Sequence, residues 1–243
     1  MDNIESLLYS KDVNGANRWR PTSISSFEKA LSAGANIGMK VALRKNICYS
    51  LQYLQYIQVQ LSELNFTSVL STQLWKTYII VSCSIIEGIF SHLLKSNKMY
   101  KTKEWQDFFP LKYSNEFTQD NITLRYQIST QQKLKTPIED RMDLNEMINK
   151  VEHKKILSLN HGAFPYLRAL RSLRNRVHLQ ISERAYDTDY FTVSKDEYIV
   201  ARCVLYKVIT DKVFELNDNA QVFDWIYPNN DEILAAFSHI RYE

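Results

Sequence analysis

The run LRALRSLRNRVHLQ, Leu167 to Gln180, holds four arginines, an asparagine and a histidine in one stretch whose leucines recur at helical intervals. Arginine beside histidine suits one kind of chemistry. A guanidinium group grips a phosphate and stabilises the charge that builds on it, and an imidazole moves a proton near neutral pH. On a helical wheel Leu167, Leu170, Leu173 and Val177 form a stripe that must face a core. Arg171, Arg174 and His178 then fall side by side on its border, with Asn175 just beyond. Arg171 precedes His178 by seven residues, or two turns, and Arg174 precedes it by four, so the three can converge on one anion. Arg168 and Arg176 point elsewhere, toward solvent.

A blander reading stands beside this one, because arginine on the exposed border of a helix is ordinary. Two features favour an anion site. Cations packed together cost Coulomb energy until an anion arrives, and no carboxylate occurs between Asn160 and Ser182 to neutralise them. No His/Asp/Glu group nearby has metal-ligand spacing, so the expected chemistry uses neither metal nor cofactor. RNA brings its own nucleophile, the 2′-hydroxyl. One histidine with arginines suffices to cleave RNA without metal and is poorly equipped for DNA.

These residues need a frame. The 243-residue chain is 45% apolar with 12% aromatics, ample for a core, and its five glycines and five prolines leave little material for the turns of an all-β protein. The expectation is all-α. Helical spacing runs from Ile37 to about Leu64 and from Val69 to Lys95, the second apolar on nearly all sides. Between Asn97 and Arg141 the periodicity lapses: WQDFFPLKYSNEF suits a helical turn, and NITLRYQI alternates like a short strand. Helical signals resume at Asp143, whose spacing to Glu146 is that of a capping box, and again from Pro165 to about Ile181. Ser194 and Glu197 make another capping box, opening a helix to about Leu216, and the tail predicts one more short helix. The organisation is an N-terminal arm over 1–36, a helical bundle over 37–216 with an irregular insertion at about 97–142 that has room for a short β-hairpin, and a tail over 217–243. The apolar run Tyr78 to Leu94 carries Glu87 and His92, as a buried helix does and a membrane span seldom does. The first residues lack a cationic and an apolar leader region, and Cys48, Cys83 and Cys203 lack any paired spacing. A reduced, cytoplasmic location is expected, with no membrane partner.

RSLRNRVH and LRNRVHL resemble the motif of the HEPN superfamily, helical-bundle proteins of which many are ribonucleases carrying Arg, four to six residues, then His on a late helix. Arg171 stands six residues before His178, whereas Arg174 bears the directly following asparagine of the common Arg-Asn variant, so either arginine can take the motif position. VSCSIIEGIFSHLL is similar to an earlier core helix of such bundles, with Glu87 as the acidic residue often found near the motif. The resemblance spans about residues 37–96 and 143–216. It implies a homodimer in which two motif helices meet, and a role in toxin-antitoxin or anti-phage defence with an antitoxin or regulatory protein as a possible partner. It also implies an endoribonuclease in which His178 acts on the 2′-hydroxyl or the leaving 5′-oxygen, Arg171 and Arg174 hold the phosphate, and Asn175 and Glu87 support them. Inactive members of the superfamily serve as nucleic-acid, nucleotide or protein-binding modules, and that is the alternative here.

The other candidates read more simply. His92 suits a satisfied core or boundary position, His161 a loop before a helix, and His153 a solvated face. Cys83 lies among Ile and Val and reads as packing. Tyr49, Tyr53 and Tyr56 recur at helical spacing and suit a core or interface. Trp19, between Arg18 and Arg20, is the better candidate to stack an RNA base, with docking on a partner as the alternative. Asp187 and Asp189 look like turn residues.

Overall fold

The computed structural model describes residues 19–177 and 188–240. These fall into two compact units: residues 97–143 form one, and the described residues on either side form the other. The second unit is helical, and the protein is mostly α.

The helical unit opens with α1 (Ile24–Ala30), which Ser23 caps by accepting from Ser26 N at 3.1 Å. Although residues 1–36 read from the sequence as a peripheral arm, Phe27, Ala30 and Leu31 are buried. Phe27 stacks on Phe223 of the tail with ring centroids 5.9 Å apart, so the start and the end of the chain share one core. A short 3₁₀ turn, Gly34–Asn36, follows. Gly34 has φ +52, and a Cβ there would lie 2.4 Å from the carbonyl carbon of Phe214, so only glycine fits against that backbone.

Helix α2 (Val41–Glu63) buries Ile47, Leu51, Leu54 and Ile57, spaced three or four apart as one face of a helix requires. Helix α3 (Ser68–Ser96) is long and apolar enough to cross a membrane, yet most of its apolar stretch is buried. It is the central helix, packed most extensively against α2 and against three helices that come later in the chain. Those are α4 (Leu144–His153), with Leu144, Met147, Ile148 and Val151 inward; α5 (Ala163–Asn175), with Phe164, Leu167 and Leu170 inward; and a longer one reached after the single turn of helix α6 (Asp189–Thr192). That longer one is α7 (Lys195–Ile209), opened by the expected capping box: Ser194 N donates to Glu197 Oε2 at 2.7 Å and Asp196 N to Ser194 Oγ at 3.1 Å. It ends at Ile209, well before Leu216. Buried Asp211 stops it, accepting from Val213 N at 3.1 Å and from Ser158 N of a distant loop at 2.8 Å. Two 3₁₀ segments, Lys212–Phe214 and Asn217–Ile226, lead to the expected tail helix, α8 (Asn230–His239), capped by Asn229 and Glu232.

The other unit is more regular than an irregular insertion. Strand β1 (Thr102–Tyr113) pairs antiparallel with β4 (Gln127–Glu139), and within their loop β2 (Phe117–Gln119) pairs with β3 (Ile122–Leu124). Asp120 and Asn121, both at positive φ, turn β2 into β3 as a tight hairpin requires. WQDFFPLKY is strand, not a helical turn. Its proline, which hides the strand pattern in the sequence, sits where the register shifts between Phe109 and Lys112, at a bulge that needs no donor from it.

Candidate functional site

Helix α5 carries the arginines, and its inward residues Leu167 and Leu170 fix its rotation against α3. The helix ends at Asn175. Arg176 N donates to Leu173 O at 3.0 Å and Val177 N to Arg174 O at 3.2 Å, tightening the last turn instead of extending it. Among the described residues the helix thus stops short of the expected Ile181, which lies outside them, and the expected inward stripe is corrected at Val177, which lies past the helix end and is 49% exposed. Of the expected ridge, α5 carries Arg171 and Arg174. His178 itself lies outside the described residues.

The arginines that are described have separate fates. Arg174 Nη2 donates to Glu87 Oε2 at 2.8 Å, joining α5 to the central helix, with roughly a third of each side chain open to solvent. The resemblance implies Glu87 as an acid that holds either an arginine or the imidazole, and in the structure it meets Arg174. Arg168, expected in solvent, is held by α4 instead: its Nη2 lies 2.9 Å from Asn149 Oδ1 and also contacts Glu152 Oε2. Arg176 Nη1 donates to Thr192 Oγ1 at 3.2 Å. Half-buried Arg171 has no hydrogen bond or ion pair among the described residues. Asn175 is the last residue of α5 and half-buried. Trp19 rests on Tyr56 of α2, ring centroids 6.3 Å apart, and is no part of the group that meets at Glu87.

The groups around this site are protonated or paired. Burial pushes the Cys83 thiol, one turn from Glu87 on α3, up to about 12, so it stays neutral and acts in packing. Farther along α3, Lys76 Nζ lies 2.8 Å from Asp189 Oδ2, and Gln73 donates to the same oxygen at 3.2 Å. Burial of the Asp189 carboxyl opposes its ionisation, but those hydrogen bonds and the charges of Lys76 and Arg176 outweigh it and hold its pKa below the ordinary value. Glu87 to Arg174 and Lys76 to Asp189 thus tie α5 and α6 to the one central helix. The sequence around Asp189 suggests only a turn residue, since nothing local signals a partner 113 positions away.

Three other features lie apart from the arginines. His92 is held at the core boundary, its Nε2 donating to Ala35 O at 2.9 Å. His161 Nδ1 approaches Glu152 Oε1 at 2.6 Å beside a cavity of about 300 Å³, leaving the imidazole 90% exposed. The three cysteines are buried and unlinked. Among the described residues no group of three His, Cys, Asp or Glu side chains has the geometry to hold a metal ion.

The chain matches no family model, no curated protein and no solved structure, so its own geometry is what the site rests on.

Proposed function

We propose that this protein is a metal-independent endoribonuclease of the HEPN type. The observation that supports it is Arg171: a half-buried guanidinium on the motif helix with no partner among the described residues, while its neighbours Arg168 and Arg174 are engaged. Such a cation favours the binding of a phosphate. In this reading Arg171 takes the scissile phosphate. Arg174, oriented by Glu87, completes the positive wall, and Asn175 orients the segment that leads to His178. His178 handles the proton: the 2′-oxygen bonds to phosphorus as it loses its hydrogen, the bond to the 5′-oxygen breaks, and that oxygen gains a proton. The products are a 2′,3′-cyclic phosphate and a 5′-hydroxyl. A cytoplasmic homodimer acting in toxin-antitoxin or anti-phage defence, with an antitoxin or regulatory partner, belongs to the same proposal.

A second reading has its own support. Arg168 and Arg174 already meet carboxylates inside the chain, which is how a binding module that has lost catalysis would hold them. One assay separates the two. Purified protein is incubated with total RNA in EDTA beside His178→Ala and Arg171→Ala. Cleavage that falls about 10²–10⁴-fold in His178→Ala supports the nuclease. Equal cleavage by all three proteins, or none by any, overturns it, and retained RNA binding that weakens in Arg171→Ala then assigns the binding module.

A further inference from the structure

Helix α2 shows solvent a second face that the arginine helix does not explain. Val41, Lys45, Tyr49 and Tyr53 follow one another at steps of four, the spacing of a ridge along a helix, and cover about 18 Å at 1.5 Å per residue. All four are exposed, Tyr49 at 52% and Tyr53 at 47%. The ridge is prolonged at both ends. Before it stands exposed Lys40. Beyond it the segment entering α1 is pinned to α2, for Gln52 Nε2 donates to Thr22 O at 2.8 Å and Thr22 N to Gln55 Oε1 at 2.8 Å. That places Trp19 on Tyr56, which itself stacks on Tyr53 with ring centroids 6.4 Å apart, and sets exposed Arg20 next to them.

The charges that α2 itself brings to this face have one sign. Between Glu28 and Glu63 the sequence contains no carboxylate. Lys40, Lys45 and Arg20 form no ion pair among the described residues. Among the described residues, a chain with a net charge of only +3 thus has cations without an ion-pair partner at the two ends of a row of half-exposed aromatic rings. Two occupants suit exposed aromatics. In a symmetric pair of chains the same patch meets itself, which would bring its cations, Lys40 and Arg20 at the opposite ends, against one another with no acid of α2 on this face to relieve them. A single-stranded polynucleotide fits without that conflict, since its bases stack on aromatic rings and its phosphates neutralise the flanking cations.

We infer that the Val41–Tyr53 ridge of α2, with Trp19 and Arg20, is a track for single-stranded RNA. Only the choice of RNA over DNA rests on the function proposed above; stacking and charge are independent of it. The track would hold a strand through its bases, apart from the site where it is cut.

The test is fluorescence anisotropy of a labelled oligouridylate titrated with His178→Ala protein, in which cleavage does not complicate binding. In that background Tyr49→Ala/Tyr53→Ala weakens binding about tenfold or more, whereas Tyr49→Phe/Tyr53→Phe, which keeps the rings, leaves it intact. Lys40→Gln/Lys45→Gln lowers the slope of log affinity against log salt by about 0.7 for each lysine. Absence of oligouridylate binding, or equal binding by the two alanine substitutions, overturns the track. So does a dimer in sedimentation velocity that Tyr49→Ala/Tyr53→Ala dissociates, because the face then belongs to self-association. The two proposals fail separately: binding without cleavage by the unsubstituted protein removes the nuclease and leaves the track, and cleavage with unaltered binding in the alanine variant removes the track alone.

Discussion

The helical unit hides its large apolar side chains, and the hairpin unit displays them. Tyr78, Ile86, Phe90 and Leu170 are fully or almost fully buried, whereas Trp105, Phe109, Tyr113, Tyr126 and Ile128 each remain roughly half exposed or more. Similar residues thus do different work. Helices around α3 enclose a volume, so each buried methyl group gains both from leaving water and from close packing. A two-stranded ribbon encloses nothing. Its cohesion comes from the ladder between β1 and β4 and from neighbours across it, such as the ring pair of Phe117 and Tyr126 at 5.0 Å and Arg125 over the Tyr113 ring at 4.5 Å. The stability of the protein should therefore be decided in one unit and barely altered from the other.

Substitution in the core gives the largest effect. Ile86→Ala on α3 should cost about 2–5 kcal/mol in urea denaturation, because the site is closed on all sides and the cavity left behind collapses poorly. A loss below about 1 kcal/mol would mean that α3 is not the centre of the fold. Next comes the tie between α3 and α5. Glu87→Ala should cost about 0.5–1 kcal/mol, as expected for a pair this open to solvent, and added salt should narrow the difference.

The Asp189 pair is read through pH. Its folded pKa is depressed, so its contribution is complete above the unfolded value near 3.8 and drains away as pH falls through the lower folded value. The stability gap between the unsubstituted protein and Asp189→Asn should accordingly be steady at neutral pH and close on acidification below about 4. A gap that widens in acid would contradict the pairing with Lys76. The smallest effect belongs to the hairpin. Asp140 N donates to Lys101 O at 2.9 Å, so the strand ends lie close enough for a short Gly-Ser linker to replace residues 102–139. Thermal unfolding of the remaining helices, followed by circular dichroism, should change by less than about 1 kcal/mol, and Trp105→Ala by less still.

The same contrast explains what was legible in advance. Helices α2 to α5 announce themselves through residues three or four apart, and α7 through Ser194 and Glu197, because such signals lie within one or two turns. The hairpin was harder to read: the apolar run of Phe108, Phe109 and Leu111 with Pro110 inside it gives no clean alternation, and the bulges that absorb it exist only once β4 is in place. In the candidate site the cluster of arginines was visible, but its division of labour was not. Nothing near Arg168 in the sequence distinguishes it, committed to Asn149 and Glu152, from Arg171, which has no partner among the described residues.

By itself the sequence determined which segments coil, where several of them are capped, and that cations gather between Leu167 and Val177 without a nearby acid. Only the tertiary structure decided which of those cations is already satisfied, that α5 stops at Asn175, and that Glu87 and Lys76 tie α5 and α6 to a single central helix. The reason is range. Helical periodicity and caps act over a few residues along the backbone, whereas an ion pair depends on two side chains brought to within 3 Å by packing, whatever their separation in the chain.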